Sequence, residues 1–158
     1  MPLFVFGSLR DGDILEIVLG RSLEDVRRVS ARLPGFRVAR LPDESYPVML
    51  RAECHSVQGE LLCGLSEEDF RRIAFFENQE YRFDQCTVEL ADGGRREALY
   101  CTENEVEPGA LDPWSLKDWQ RRHKPVFMKH TRDYMKLYGT VSSEEADKTW
   151  RELTKEPE

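Results

Sequence analysis

Residues 3–6 are a continuous apolar run, "LFVF", which ends in Gly7-Ser8 before the chain turns charged. Such a run bounded by a glycine predicts a short buried strand followed by a loop, Gly7–Gly12. A short helix follows from about Asp13 to Leu19, with Asp13 as N-cap, Glu16 three residues on and Gly20 as the stop. Residues 25–41 alternate loosely through Val26, Val29, Ala31, Leu33, Phe36 and Val38, predicting one or two strands broken at Pro34-Gly35. "SYPVML" reads as a turn before a strand, and "SVQGELLCGL" as a strand with Gly59 at a bend or a close approach.

The period then changes. In "LSEEDFRRIAFFE", Ser66 and Asp69 stand at N-cap and N3 of a helix, and Leu65 and Phe70 occupy the positions of a hydrophobic staple. Residues 81–90 and 95–102 predict a hairpin around "DGG". From Trp114 the pattern is helical, with Ser115 and Asp118 repeating the capping box and Trp114 and Trp119 the staple. An apolar face runs through Trp119, Val126, Phe127, Tyr134, Leu137 and Tyr138, with a kink expected at Pro125 and a stop at Gly139. Ser142 and Glu145 open a last short helix carrying Ala146, Trp150 and Leu153, and "TKEPE" reads as a frayed tail.

Strands and helices do not alternate regularly, which argues against a doubly wound parallel sheet. The expected class is α+β: a small mixed β-barrel or curved sheet with peripheral helices and a C-terminal helical extension. The length, 158 residues, suits a single core. The net charge of −7 disfavours nucleic acid and anionic membrane as partners, since both select basic patches. No apolar stretch reaches membrane-spanning length and no signal peptide is evident, so a cytoplasmic location is expected. Cys54, Cys63, Cys86 and Cys101 lack zinc spacing. Cys86 and Cys101 are equidistant from Gly93-Gly94, which would set them face to face across the hairpin as paired small hydrophobes or, less favoured, as a disulfide.

One residue breaks the pattern. The helix opened by Ser66 has Phe70, Ile73 and Ala74 on its apolar face, and the next position of that stripe is Glu77. A carboxylate at the inner end of an apolar stripe is desolvated, which raises its pKa and suits it to proton transfer near neutrality. Tyr81, four residues on, would reach it if the helical turn persists. The competing reading is a last turn that points Glu77 at solvent; periodicity alone leaves both open. Glu80 falls off the apolar face and reads as solvated.

The N-terminal loop has a similar pair of readings. It is either an ordinary turn or a nest in which the N–H groups of Gly7, Ser8 and Leu9 hold an anion, with Gly7 supplying close approach or positive φ and the next helix its dipole. His123 and His130 lie near the apolar helix face without a third ligand, and read as core or rim residues.

Together these segments resemble the gamma-glutamylcyclotransferase-like superfamily, which includes the AIG2-like proteins. "FVFGSLR" resembles its "YGSL" loop, and "SYPVML", "VQGELLCGLSEEDFRRI" and "AFFENQEYRF" follow in order. The last of these resembles the pattern "LDxxExxxYxR", matching Ile73, Glu77 and Tyr81. "DPWSLKDWQRRHKPVF" is similar to the tail of bacterial AIG2-like members. The resemblance covers most of residues 3–125.

It implies a small mixed barrel over residues 1–112, with 113–158 as a helical extension packed on the same domain. It further implies that the backbone of Gly7, Ser8 and Leu9 holds the α-carboxylate of a γ-glutamyl group and that Glu77 is the general acid/base. Phe6, Arg10, Tyr46 and Tyr81 complete the implied binding set. The implied reaction is intramolecular: the substrate's α-amine attacks its own γ-carbonyl, giving 5-oxoproline and a free amine, with no metal or cofactor. The expected partner is a small γ-glutamyl compound, and a homodimer stays open. This chain departs from the pattern at Phe6 (tyrosine in the family), Ala74 (aspartate), Asn78 (glycine) and Arg82-Phe83, where the arginine is shifted by one. Those departures keep two alternatives in view: a non-catalytic ligand-binding or interaction module, and a γ-glutamyl or acyl transferase.

Overall fold

The computed structural model describes residues 1–40, 47–77, 81–103, 112–113 and 115–140. The described elements, in chain order, are β1 (Leu3–Val5), α1 (Gly12–Leu19), β2 (Arg27–Arg40), β3 (Pro47–Cys63), α2 (Glu67–Glu77), β4 (Tyr81–Leu90), β5 (Arg95–Glu103), β6 (Asp112–Pro113), α3 (Leu116–Arg122) and α4 (Lys124–Met135). The strands are ordered β3-β1-β5-β4-β2-β6, and β2 also pairs with β3. That extra pairing closes five strands into a barrel with β6 appended to β2, as the element order led us to expect. All pairings are antiparallel except β1 with β5, which run parallel.

Alternation sorts the strand side chains into two cores. Phe4, Ala31, Leu33, Val57, Leu61, Val88 and Ala98 fill the barrel. Leu3, Val5 and Leu62 face outward and pack against Ile14, Leu15, Val18, Ile73 and Phe75 of the helices. The three-residue β1 thus feeds both cores. Gly59 lies where β3 passes under β1: a Cβ there would stand 2.3 Å from the Val5 carbonyl oxygen and 2.7 Å from Phe4 Cζ. Of the two expectations for Gly59, close approach is correct.

The expected break at Pro34-Gly35 is a bulge. The β2–β3 register shifts between Pro34 and Phe36, and Gly35 takes φ 85°, so one long hairpin bends without ending. The α2 capping box is formed: Asp69 N–H donates to Ser66 Oγ at 3.1 Å and Ser66 N–H to Asp69 Oδ2 at 2.9 Å. At α1 the cap is Asp11, two residues before the expected Asp13; its Oδ1 accepts from Asp13 N–H and Ile14 N–H. Gly20 closes α1 at φ 67°.

The C-terminal helix is broken rather than kinked. α3 ends at His123, which has φ −117°, and Pro125 sits in the first turn of α4. A proline there needs no N–H partner and continues a new helix, whereas further inside it would clash with the preceding turn. Ser115 caps α3 by accepting from Asp118 N–H, at 3.4 Å. Trp119, Phe127 and Tyr134 are buried as expected, but Val126 is exposed. His123 and His130 are half-buried. The expected staple residue Trp114, the turn at 41–46 and the helix after Ser142 lie outside the described residues.

Cys86 pairs with Ala98 and Cys101 with Phe83, so Cys86 and Cys101 are not opposite one another. The turn residues centre the hairpin between Leu90 and Arg95, and this register moves the two thiols three positions apart. None of the four cysteines is in a disulfide. Among the described residues no helix is long and apolar enough to cross a membrane.

Candidate functional site

The loop after β1 is a single 3-10 turn, Ser8–Arg10, with Gly7 as its N-cap. Its first hydrogen bonds run from Arg10 N–H to the Gly7 carbonyl and from Asp11 N–H to the Ser8 carbonyl, both at 3.0 Å. The N–H groups of Ser8 and Leu9 precede the first of these, as helix geometry requires of leading donors. Gly7 has φ −124°, outside the left-handed region, so the positive-φ option for this glycine is incorrect. Ser8 and Leu9 are buried, Phe6 is half-buried and stacks on Phe4 at 6.5 Å between ring centroids, and Arg10 is half-buried.

Three elements hold the far end of this loop. Arg28 of β2 donates Nη2–H to the Arg10 carbonyl at 2.6 Å and is itself paired with Glu60 of β3 at 3.0 Å. Gln120 of α3 donates to Asp11 Oδ2 at 2.8 Å, and Lys124 of α4 reaches the same oxygen at 2.8 Å and Asp13 at 2.9 Å. Burial alone would push the Asp11 carboxyl up, but hydrogen bonds from Lys124, Gln120 and Ile14 N–H outweigh it and hold the group below its ordinary value. These groups answer the Arg10 carbonyl and the Asp11 side-chain carboxylate, and among the described residues none meets the leading N–H donors of Ser8 and Leu9. Arg10 Nε is buried with no acceptor among the described residues. A buried charged donor without a partner is a cost that an anionic ligand would relieve.

Glu77 ends α2 and is half-buried. The apolar face expected to carry it is drawn differently. Ala74 is exposed, while Phe75 is buried against Tyr134 of α4 at 4.9 Å and Phe76 meets Phe127 edge-on at 6.1 Å. α2 is covered by α4 as well as by the barrel, so its buried surface is wider than one stripe and is displaced from Ala74. The helix does not persist to Tyr81, which opens β4, so the helical spacing between Glu77 and Tyr81 does not apply. The side chain of Tyr81, and Tyr46 entirely, lie outside the described residues.

The topology brings the loop and Tyr81, four residues past Glu77, to one end of the barrel. β1 runs parallel to β5, with Phe4 opposite Tyr100, so the chain leaves β1 at the end where β5 finishes. Glu103 at that end pairs with Tyr81, the residue entered from Glu77. Two strand spacings, about 10 Å, separate the β1 exit from Tyr81. Glu77 stands four residues of chain before Tyr81, at most about 14 Å. Phe36, Val38 and Tyr100 pack against the barrel core at the same end. The sequence reading missed Phe36, Tyr100, Arg28, Gln120 and Lys124 as members of this region. Gln120 and Lys124 stand on either side of the break between α3 and α4, and nothing in their spacing names Asp11. Among the described residues no group of His, Cys, Asp and Glu is placed to hold a metal ion.

A small mixed barrel flanked by helices, with a glycine-serine turn leaving its first strand and a helix ending in glutamate, defines a class. The family described as gamma-glutamyl cyclotransferase, AIG2-like, matches residues 3–121, and the chain belongs to it. AIG2-like protein A of Arabidopsis thaliana is 30% identical over 134 residues, spanning 84% of this chain and 79% of the relative. AIG2-like protein D of the same plant is 26% identical over 144 residues, 89% of this chain and 93% of the relative. A solution structure from Arabidopsis thaliana superposes with TM-score 0.62 at 26% identity, covering 89% of this chain and 94% of that one. A structure named gamma-glutamyl cyclotransferase superposes with TM-score 0.57 at 12% identity over 96% of this chain and 98% of that one, a likeness of fold.

Proposed function

We propose that this chain cyclises a small γ-glutamyl compound to 5-oxoproline and releases the amine. The observation that supports this reading is the barrel end: a loop whose leading backbone donors and buried Arg10 Nε have no acceptor among the described residues lies at the end where Tyr81, four residues past Glu77, opens β4. Ser8 N–H, Leu9 N–H and Arg10 would hold the α-carboxylate. That anchor folds the substrate so that its α-nitrogen meets its γ-carbon, and an intramolecular attack gains much of its rate from such positioning alone. The new bond joins the α-nitrogen to the γ-carbon, and the bond from the γ-carbon to the departing nitrogen breaks. Glu77 takes the proton released by the α-nitrogen and delivers it to the departing nitrogen, ending as it began.

The test is detection of 5-oxoproline by mass spectrometry from a panel of γ-glutamyl amides, amines and amino acids. Glu77→Gln is expected to lower the rate by about 100-fold or more, since general acid/base catalysis contributes on that order, with an unchanged melting temperature. Full activity in Glu77→Gln would sink the mechanism. A second reading, ligand binding without turnover, is favoured by Phe6, which brings no hydroxyl to the mouth. It predicts thermal stabilisation by γ-glutamyl compounds with no 5-oxoproline formed. A γ-glutamyl transferase would instead yield a transferred product.

A further inference from the structure

The barrel end that carries the loop is rimmed by aromatic surface that the cyclisation chemistry does not use. Phe36 follows the bulge at Gly35 and lies on the β2–β3 arm, with its ring centroid 6.3 Å from that of Tyr100 on the inner face of β5. Phe6 continues this surface from β1, and Val38 extends it along the arm. All four are half-buried, whereas the residues below them in the barrel, Phe4, Leu33 and Val88, are closed off. The rim therefore retains apolar area that a ligand at the mouth could cover, the usual make-up of a small-molecule site.

Directly opposite Phe36 in the register is Arg51, exposed, with its guanidinium carbon 5.5 Å from the centre of the Phe36 ring. The stack fixes the cation at the edge of the aromatic surface while leaving its N–H donors toward solvent. An apolar wall ending in a fixed cation selects a group with an apolar body and a terminal anion.

Resting on the cyclotransferase reading, we propose that Phe36, Tyr100 and Phe6 form the subsite for the departing group, and that Arg51 receives its carboxylate. The preferred substrates are then γ-glutamyl conjugates of apolar or aromatic amino acids, in preference to those of glycine or of simple amines. Phe36 and Arg51 set specificity and take no part in the bond changes.

Three compounds separate the parts: γ-glutamyl-L-phenylalanine, γ-glutamylglycine, and γ-glutamyl-2-phenylethylamine, which keeps the ring and lacks the carboxylate. The expected kcat/KM is highest for the first, by about tenfold or more over glycine, in line with the discrimination an apolar pocket gives. Phe36→Leu and Phe36→Ala should cut the phenylalanine conjugate progressively, by about tenfold or more in the alanine variant, and the glycine conjugate by a clearly smaller factor. Arg51→Gln, at an exposed position, should lower the phenylalanine conjugate several-fold and leave the phenylethylamine conjugate unchanged. Equal turnover of the phenylalanine and glycine conjugates overturns the subsite, as does an equal loss on both in the Phe36 variants. An Arg51→Gln effect that ignores the carboxylate overturns the role of Arg51. If no compound yields 5-oxoproline, the cyclotransferase reading fails. Calorimetric affinities for the same three compounds then decide the subsite by the same ranking.

Discussion

Replacing Lys124 by methionine tests whether the C-terminal helices hold the loop at the barrel mouth. Asp11 is 3% exposed and the Lys124 side chain 25% exposed, so the pair lies between the buried and surface extremes. Breaking a buried pair costs about 3–5 kcal/mol and a surface pair about 0–1 kcal/mol. Asp11 would keep Gln120 and two backbone N–H donors, which limits the loss to about 2 kcal/mol in Lys124→Met. For a chain of this size that corresponds to a fall in melting temperature of about 4–8 °C. The folded-state pKa of Asp11 is depressed, so its contribution is complete above the unfolded value, about 3.9, and is lost as pH falls through the folded one. Urea denaturation of wild type and Lys124→Met should therefore differ at pH 7 and converge as pH drops below 4. A double-mutant cycle with Asp11→Asn isolates the pair. Equal stability at pH 7, or a coupling energy of zero in that cycle, would refute the reasoning.

Gly59→Ala places a methyl against the Val5 backbone, which cannot rotate away. Overpacking of this kind costs about 1–3 kcal/mol, read as a lowered urea midpoint. Asp69 is held below the usual carboxylate range by the hydrogen bond from Arg21, against burial, and Ser66 N–H adds to it. Asp69→Asn should cost about 1–2 kcal/mol at pH 7, discounted for the partly exposed Arg21, and progressively less below pH 4 in the same urea assay. Burial pushes the Cys86 thiol up to about 11, while Cys54 is exposed. With iodoacetamide at pH 8, mass mapping should find Cys54 modified first and Cys86 only after unfolding; rapid native labelling of Cys86 would contradict its position.

The strands of the barrel were legible because one face of each is buried: Ala31 and Leu33, or Leu61 with Gly59 between bulky neighbours, alternate as a half-buried strand must. The Ser66–Asp69 box was legible because its bonds are local. What eluded the sequence depends on contacts made at long range. Asp11 and Asp13 are equivalent as N-caps by local pattern, and the bond that Asp11 alone receives comes from Gln120, more than a hundred residues away. Ala74 sits on the expected stripe, and only the arrival of α4 moves the buried face to Phe75 and Phe76. The α3–α4 break at His123 was displaced from Pro125 because proline marks the first turn of a helix as readily as an interruption. Gly7 and Glu77 were both singled out in isolation, but it is the parallel pairing of β1 with β5 that brings Gly7 to the end where β4 begins at Tyr81, and no local pattern encodes that pairing.

That pairing also sets an order of events during folding. β1 precedes both its partners by a long stretch of chain: Leu3 lies opposite Leu62 on one side and Leu99 on the other. Closing chain segments of that length is slow relative to forming the β4–β5 hairpin or the α2 helix. One edge of β1 can pair once β3 has formed, but its other edge stays open until β5 arrives. The glycine-serine turn hangs from its end, so a chain whose barrel has not closed has nothing to hold a ligand with. On the function proposed above, ligand binding at this mouth would report completed folding, because the barrel end that carries the turn is among the last features to close.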